Sequence, residues 1–254
     1  MSMLTSERAG PIDKTVLLFS GGMASVCLAY LEKPDVLLMV PQKGSVYNEQ
    51  EGKCIVELRA AGFFHGTRAV TLVDVLNLGR WERDDLIIPN RNAHLIMLAA
   101  NYGDTILLGS VYGDRSFDKD AKFFKLMEGL LDHMNDEQHW TEKREFDVYA
   151  PAKHETKTEL VSRFLNEGGD VELLFKSWSC YGGGTQHCGR WKPCFRKRVA
   201  LINVGEDRLD YWQTDFRNAE WWPAVRAQID TGTYRGREDN EARQALKEMR
   251  PCSL

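Results

Sequence analysis

Thr15-Val-Leu-Leu-Phe19-Ser20-Gly-Gly-Met-Ala-Ser25 joins a continuous apolar run to a glycine turn, after which helical spacing sets in over Ser25–Glu32. An apolar run without polar alternation fits a strand covered on both faces, the habit of parallel sheets. Where such a strand passes into a helix, backbone N–H groups and the positive helix end together attract anions. Glycine lets the backbone curl toward the anion, and serine hydroxyls add donors. The plainer reading is a tight turn in which glycine is only sterically convenient. The flanking serines and the place after the first strand favour a phosphate cradle formed by Ser20, Gly21, Gly22 and Ser25.

The alternation continues outward from this point. Strands are expected at Asp35–Val40, Arg68–Val73, Thr105–Gly109 and Asp147–Tyr149. Helices are expected at 48–61, Ala93–Ala100, Lys119–Met134 and Thr156–Asn166. In the third of these, Phe123, Phe124, Met127, Leu130 and Leu131 are placed on one apolar side. Strands alternating with helices predict an α/β fold, a parallel twisted sheet with helices on both faces. The expected organisation is a lead-in over 1–13, the α/β domain over 14–175, and a cysteine-containing segment with a Trp/Arg-rich helical tail over 176–254. A charged helix over Glu238–Met249 closes the chain. Trp212, Trp221 and Trp222 are read as core packing or as a homodimer interface.

With 43% hydrophobic residues in 254, the chain can build a sizeable core, which excludes wholesale disorder. The longest apolar runs are too short to span a bilayer, and the first residues lack a signal-peptide stretch, so a cytoplasmic location is expected. A formal net charge of −4 makes direct nucleic-acid binding a poor expectation. Six cysteines in such a chain suggest reduced thiols or a metal site. Cys180, Cys188 and Cys194 stand close together among glycines, a pattern suited to zinc held by thiolates. Cys27, Cys54 and Cys252 fall outside it and are expected to pack in the core or tail.

Ser20-Gly-Gly-Met-Ala-Ser25 resembles the Ser-Gly-Gly-x-Asp-Ser signature of the PP-loop ATP pyrophosphatases, with Ala24 at the acidic position. Trp178-Ser-Cys180-Tyr181, then His187-Cys188-Gly189 and Cys194, resembles the zinc motif of the 7-cyano-7-deazaguanine synthases, the QueC family. Trp191 stands here at the remaining zinc-cysteine position. Ile88-Pro-Asn-Arg-Asn92, Gly109–Asp114 and Tyr149-Ala-Pro151 with Thr156–Val161 are similar to further family segments, in the same order. The resemblance covers roughly 14–200 and implies a PP-loop, HUP-like and Rossmann-like fold. It also implies that the family's substrates are 7-carboxy-7-deazaguanine, ammonia and ATP, and that Zn2+ is bound by three cysteines here. His187 is the nearest replacement ligand; alternatively Trp191 fills the volume of an empty site. On the same resemblance Arg91 suits the substrate carboxylate or a phosphate, Asp114 and Asp118 suit the guanine-like base edge beside Asn92, and Lys157 suits a phosphate. Their bland counterparts are an ion-pair partner, a turn residue, a helix N-cap and a solvated helix residue.

Ala24 and Trp191 are two departures from the family pattern and suggest altered chemistry. The preferred expectation is decarboxylation of 7-carboxy-7-deazaguanine to 7-deazaguanine, by protonation of the ring carbon and loss of CO2, in a phage DNA-modification setting. The alternatives are an ATP-dependent nitrile synthase, for which ATP and Mg2+ enter, and a non-catalytic binding protein. Glu49, Asp74, Asp85, His94 and His154 are all open as proton donors.

Overall fold

The structure, a computed structural model, describes residues 10–45, 48–64, 66–182 and 186–252. The first nine residues of the expected lead-in lie outside the described residues. Five strands form one sheet: β1 (Thr15–Leu18), β2 (Val36–Met39), β3 (Arg68–Thr71), β4 (Thr105–Leu107) and β5 (Asp147–Tyr149). Their order is β3-β2-β1-β4-β5, and every neighbouring pair is parallel. Leu17 of β1 stands in register with Leu37 of β2 and Leu107 of β4.

The helices are α1 (Met23–Glu32), α2 (Asn48–Ala60), α3 (Arg91–Ala99), α4 (Ala121–Met134), α5 (Lys157–Asn166), α6 (Val171–Lys176), α7 (Lys192–Asn203), α8 (Trp222–Thr231) and α9 (Glu238–Glu248). The unbroken apolar runs of β1 and β2 are explained by burial of both faces. Leu17, Leu37 and Leu107 pack with residues of α1, α2, α5 and α6. Val16, Val36, Ile106 and Val148 pack against Ile96 of α3 and Phe124, Met127 and Leu131 of α4.

Two expectations shift. Leu130, placed on the apolar side of α4, is 43% exposed. Asp118 does not cap that helix. The cap is Asp120, whose side chain accepts the Phe123 N–H at 2.7 Å, while Asp118 lies in a preceding 3-10 turn. In the tail, Trp212 and Trp222 are buried, and Trp222 packs with Phe195 and Phe216 in a separate core under α7, α8 and α9. Thr156 starts α5 through a capping box with Glu159. Among the described residues no helix is long and apolar enough to cross a membrane.

Candidate functional site

Strand order reverses direction between β1 and β4, and in open α/β sheets the crevice beyond the strand ends at such a point receives ligands. A cleft of about 350 Å³ lies there, lined by residues following β1, β2 and β4. Its floor is the glycine turn. Gly22 is the N-cap of α1 and no side-chain cap is made among the described residues, so its first-turn amides are open to an anion. Ser20, Gly22, Ala24 and Ser25 line the cleft. Ser25 Oγ donates to the Gly22 carbonyl at 2.8 Å.

Gly21 stands behind the lining and sets its shape. Its φ is +74°, and a Cβ there would lie 2.8 Å from Cys54 Sγ. Its carbonyl accepts the Trp178 N–H at 2.9 Å and the Cys54 thiol at 3.2 Å. The glycine loop is therefore tied to α2 on one side and to the cysteine segment on the other.

The remaining wall is charged. Arg91 and Asn92 come from the start of α3, Asp114 from the loop after β4, Lys157 from the first turn of α5 and Arg196 from α7. Arg91, Lys119, Lys157 and Arg196 outnumber the acidic Glu51 and Asp114 in the lining, which favours an anionic ligand. Arg196 Nη1 lies 3.0 Å from Asp114 Oδ1. Burial opposes ionisation of Asp114, but the charges of Arg196, Lys119 and Lys157 outweigh it and hold the carboxyl well below the usual carboxylate range. Burial, reinforced by Arg196, pushes Lys157 down to about 8.

Asn92 Nδ2 donates to Asp118 at 2.8 Å, and Ser116 donates to the same carboxylate. Asp118 is thus occupied in holding the start of α3, and it is not among the residues lining the cleft. The five acids left open at the outset are not in the lining either. Glu49 pairs with Lys53, Asp74 with Lys43 and Asp85 with Arg83. His94 and His154 are exposed.

Glu51, Lys119 and Arg196 are the charged lining residues that the sequence motifs did not mark as site residues. Burial pushes the Glu51 carboxyl up from 4.5 to about 7, with Arg91 pulling the other way. A folded-state value above the unfolded one means a contribution to stability that is present at low pH and lost as pH rises through about 7. Glu51→Gln is therefore expected to raise the melting temperature relative to wild type at about pH 8 and to narrow that advantage at about pH 5. Paired thermal melts across this window check it; a pH-independent difference would contradict it.

Sγ atoms of Cys180, Cys188 and Cys194 lie within 4.8 Å of one another, with Cys180 and Cys188 3.3 Å apart. Gly182 N–H points at Cys180 Sγ (3.2 Å) and Arg190 N–H at Cys188 Sγ (3.4 Å). Hydrogen bonds from Cys180 and Cys194 lower the Cys188 pKa. Three converging sulfurs with backbone donors fit three corners of a tetrahedral zinc site, and their thiolates would hold the ion with a fourth ligand from outside the cluster. Bound there, zinc would supply a structural clamp between the Trp178–Cys180 segment and the first turn of α7.

The two side chains weighed for the fourth position do other work. His187 Nε2 accepts the Ser179 N–H at 3.0 Å, and the ring packs among Trp178, Tyr211 and Trp212, so it is not a member of the cluster. Trp191 does not fill the site: it is 41% exposed, tilted against Tyr181 with ring centres 5.8 Å apart. Cys27, Cys54 and Cys252 are buried, as expected of packing residues.

The sequence profile of "Queuosine biosynthesis protein QueC" matches residues 67–205, more than half of the chain. This stretch holds Arg91, Asp114, Lys157 and the three clustered cysteines, but begins after the glycine loop. The chain is similar to the 7-cyano-7-deazaguanine synthase of Marinomonas sp. (strain MWYL1), at 24% identity over 78% of this chain and 98% of the relative. It is also similar to 7-cyano-7-deazaguanine synthase 1 of Mesorhizobium japonicum, at 28% over 79% and 94%. The synthase of Brucella canis shows 26% over 84% and 97%. Among solved structures, the U34-tRNA thiolase NcsA from Methanococcus maripaludis with its [4Fe-4S] cluster superposes with a TM-score of 0.41 at 14% identity, covering 100% of this chain and 78% of that one. With its profile matched over more than half its length, this chain belongs to the QueC family.

Proposed function

We propose that the chain is an ATP-dependent enzyme that activates the carboxylate of 7-carboxy-7-deazaguanine. The observation that carries this reading is the pairing, across one cleft, of an uncapped helix N-terminus with a wall of Arg91, Lys119, Lys157 and Arg196. Such an arrangement suits a triphosphate beside a second anion, whereas loss of CO2 alone requires no phosphate cradle.

A carboxylate is a poor electrophile. Attack of its oxygen on the α-phosphorus of ATP expels pyrophosphate and leaves an acyl adenylate. An amine can then attack the carbonyl carbon and expel AMP. The Ser20 hydroxyl and the first amides of α1, that of Ser25 among them, hold phosphate oxygens, and Lys119 and Lys157 offset their charge. Arg91 forks onto the substrate carboxylate. Asp114, kept ionised, accepts the donors of the base edge. Mg2+ would travel with the phosphates; Ala24 offers it no ligand, and Glu51 is the acidic lining side chain free to approach it.

One observation favours the decarboxylation reading: Glu51 lines the same cleft, where burial pushes its carboxyl up to about 7, the range an acid for the ring carbon needs. Product analysis separates the two. Purified protein is incubated with 7-carboxy-7-deazaguanine and an ammonium salt, with and without ATP and Mg2+, and followed by mass spectrometry. ATP-dependent amide or nitrile is the expected product; 7-deazaguanine formed without ATP would overturn the proposal.

A further inference from the structure

The family match ends at residue 205, yet the chain beyond it returns to the cleft. Phe195 and Val199 of α7, Trp222 and Ile229 of α8 and Ala242 of α9 share one core, which fixes the segment preceding α9. That segment grips the loop after β4, which carries Asp114. Arg235 donates to the Gly113 carbonyl, and Arg115 Nη2 donates to the Tyr234 carbonyl at 2.6 Å. The Arg237 guanidinium lies 4.6 Å from the centre of the Tyr112 ring. At Gly236 φ is +65°, and a Cβ would stand 2.6 Å from the Tyr112 hydroxyl, so the close approach requires glycine.

Glu238 follows at the first turn of α9. Its carboxylate, 8% exposed, lies 2.8 Å from Arg196 Nη2, while Arg196 Nη1 lies 3.0 Å from Asp114. One guanidinium is thereby shared between an acid from the tail and an acid of the cleft. Asp114 Oδ2 accepts the Val111 N–H at 3.3 Å and keeps acceptor capacity toward the cleft.

We infer that Glu238 is a positioning residue for the substrate site: it holds one edge of Arg196 so that Asp114 stays available to the N–H donors of a purine-like base. Without that carboxylate the Arg196 fork turns fully onto Asp114, the bidentate pairing that a guanidinium and a carboxylate prefer. The inference rests on reading Asp114 as the group that meets the base edge. It assigns to the tail a role in ligand affinity as well as in folding.

Full-length wild type, Glu238→Gln and Glu238→Asp are titrated calorimetrically with 7-carboxy-7-deazaguanine and, separately, with ATP. The Gln variant is expected to bind the deazaguanine about tenfold more weakly and ATP within about twofold of wild type. The Asp variant, which keeps the charge on a shorter reach, is expected to recover part of the loss. In turnover, KM for the deazaguanine rises more than kcat falls. Wild-type affinity in the Gln variant overturns the inference alone, and equal weakening toward both ligands does so too. Should the Gln variant not fold, full wild-type affinity in the Asp variant overturns it. A wild type that does not bind the deazaguanine overturns the functional reading and this inference with it.

Discussion

Replacing Gly21 by alanine is expected to lower kcat/KM by about 100-fold or more, with loss of measurable ATP binding, while the fold persists. Two costs fall on one residue. A φ of +74° puts an L-residue in the left-handed region, at about 1–2 kcal/mol. The new methyl would also meet Cys54 Sγ at 2.8 Å, a distance that forces the loop or α2 to move. Either movement strains the bonds from Trp178 N–H and the Cys54 thiol to the Gly21 carbonyl, which hold the turn in shape. The neighbouring Gly22→Ala supplies the contrast. Gly22 has an ordinary φ of −70°, and its new methyl would meet Ser20 Oγ at 3.3 Å, the end of a small side chain that can rotate. A loss of about tenfold or less is expected there. Calorimetric ATP titration with circular dichroism as the fold control checks both. Equal effects at the two glycines would show that the loop conformation is not what holds the phosphates.

Cys194→Ser is expected to have the largest effect on stability. The thiol is buried at the first turn of α7, two residues before Arg196. Structural zinc sites carry about 10–16 kcal/mol of apparent binding free energy, which in a protein built around the ion is folding free energy. Purified wild type is expected to hold about one zinc per chain, and the Ser variant almost none, with a melting temperature lower by about 10 °C or more. The same variant should lose cleft function. The clamp that zinc would make between Trp178–Cys180 and α7 would hold both the Trp178 N–H on the Gly21 carbonyl and the Arg196 guanidinium beside Asp114. Trp191→Ala, at an exposed position outside the cluster, is expected to retain its zinc. Elemental analysis with paired melts decides; a zinc-free, equally stable wild type would contradict the metal reading.

The sheet was readable because its signal is local. Val16, Leu17 and Val36–Met39 are buried between helices on the two faces, so hydrophobicity shows without periodicity, and the glycine turn marks the crossing into α1. The cysteine cluster was readable because spacing on glycine-rich turns is a property of short sequence. Glu51, Lys119 and Arg196 were not, since each is a charged residue whose sequence neighbours say only that it lies on or beside a helix. What makes each a wall of the cleft is the packing of distant elements, which no short window contains. Asp118 failed for a related reason. Asp118 and Asp120 both precede α4 and are equally good caps by type; the bond from Asn92, 26 positions away in sequence, decides which one caps. The tryptophans of the tail were placed only as core or interface, and a separate core built on Phe195 gives Trp222 its partners.

The most direct measurement follows the oxygen. 7-Carboxy-7-deazaguanine labelled with heavy oxygen in its carboxylate is turned over with ATP, Mg2+ and an ammonium salt, and the AMP is examined by mass spectrometry. Activation through an acyl adenylate predicts one labelled oxygen in the AMP phosphate, because the carboxylate oxygen that attacked phosphorus leaves with it. Unlabelled AMP, or labelled CO2 released with ATP intact, would contradict it.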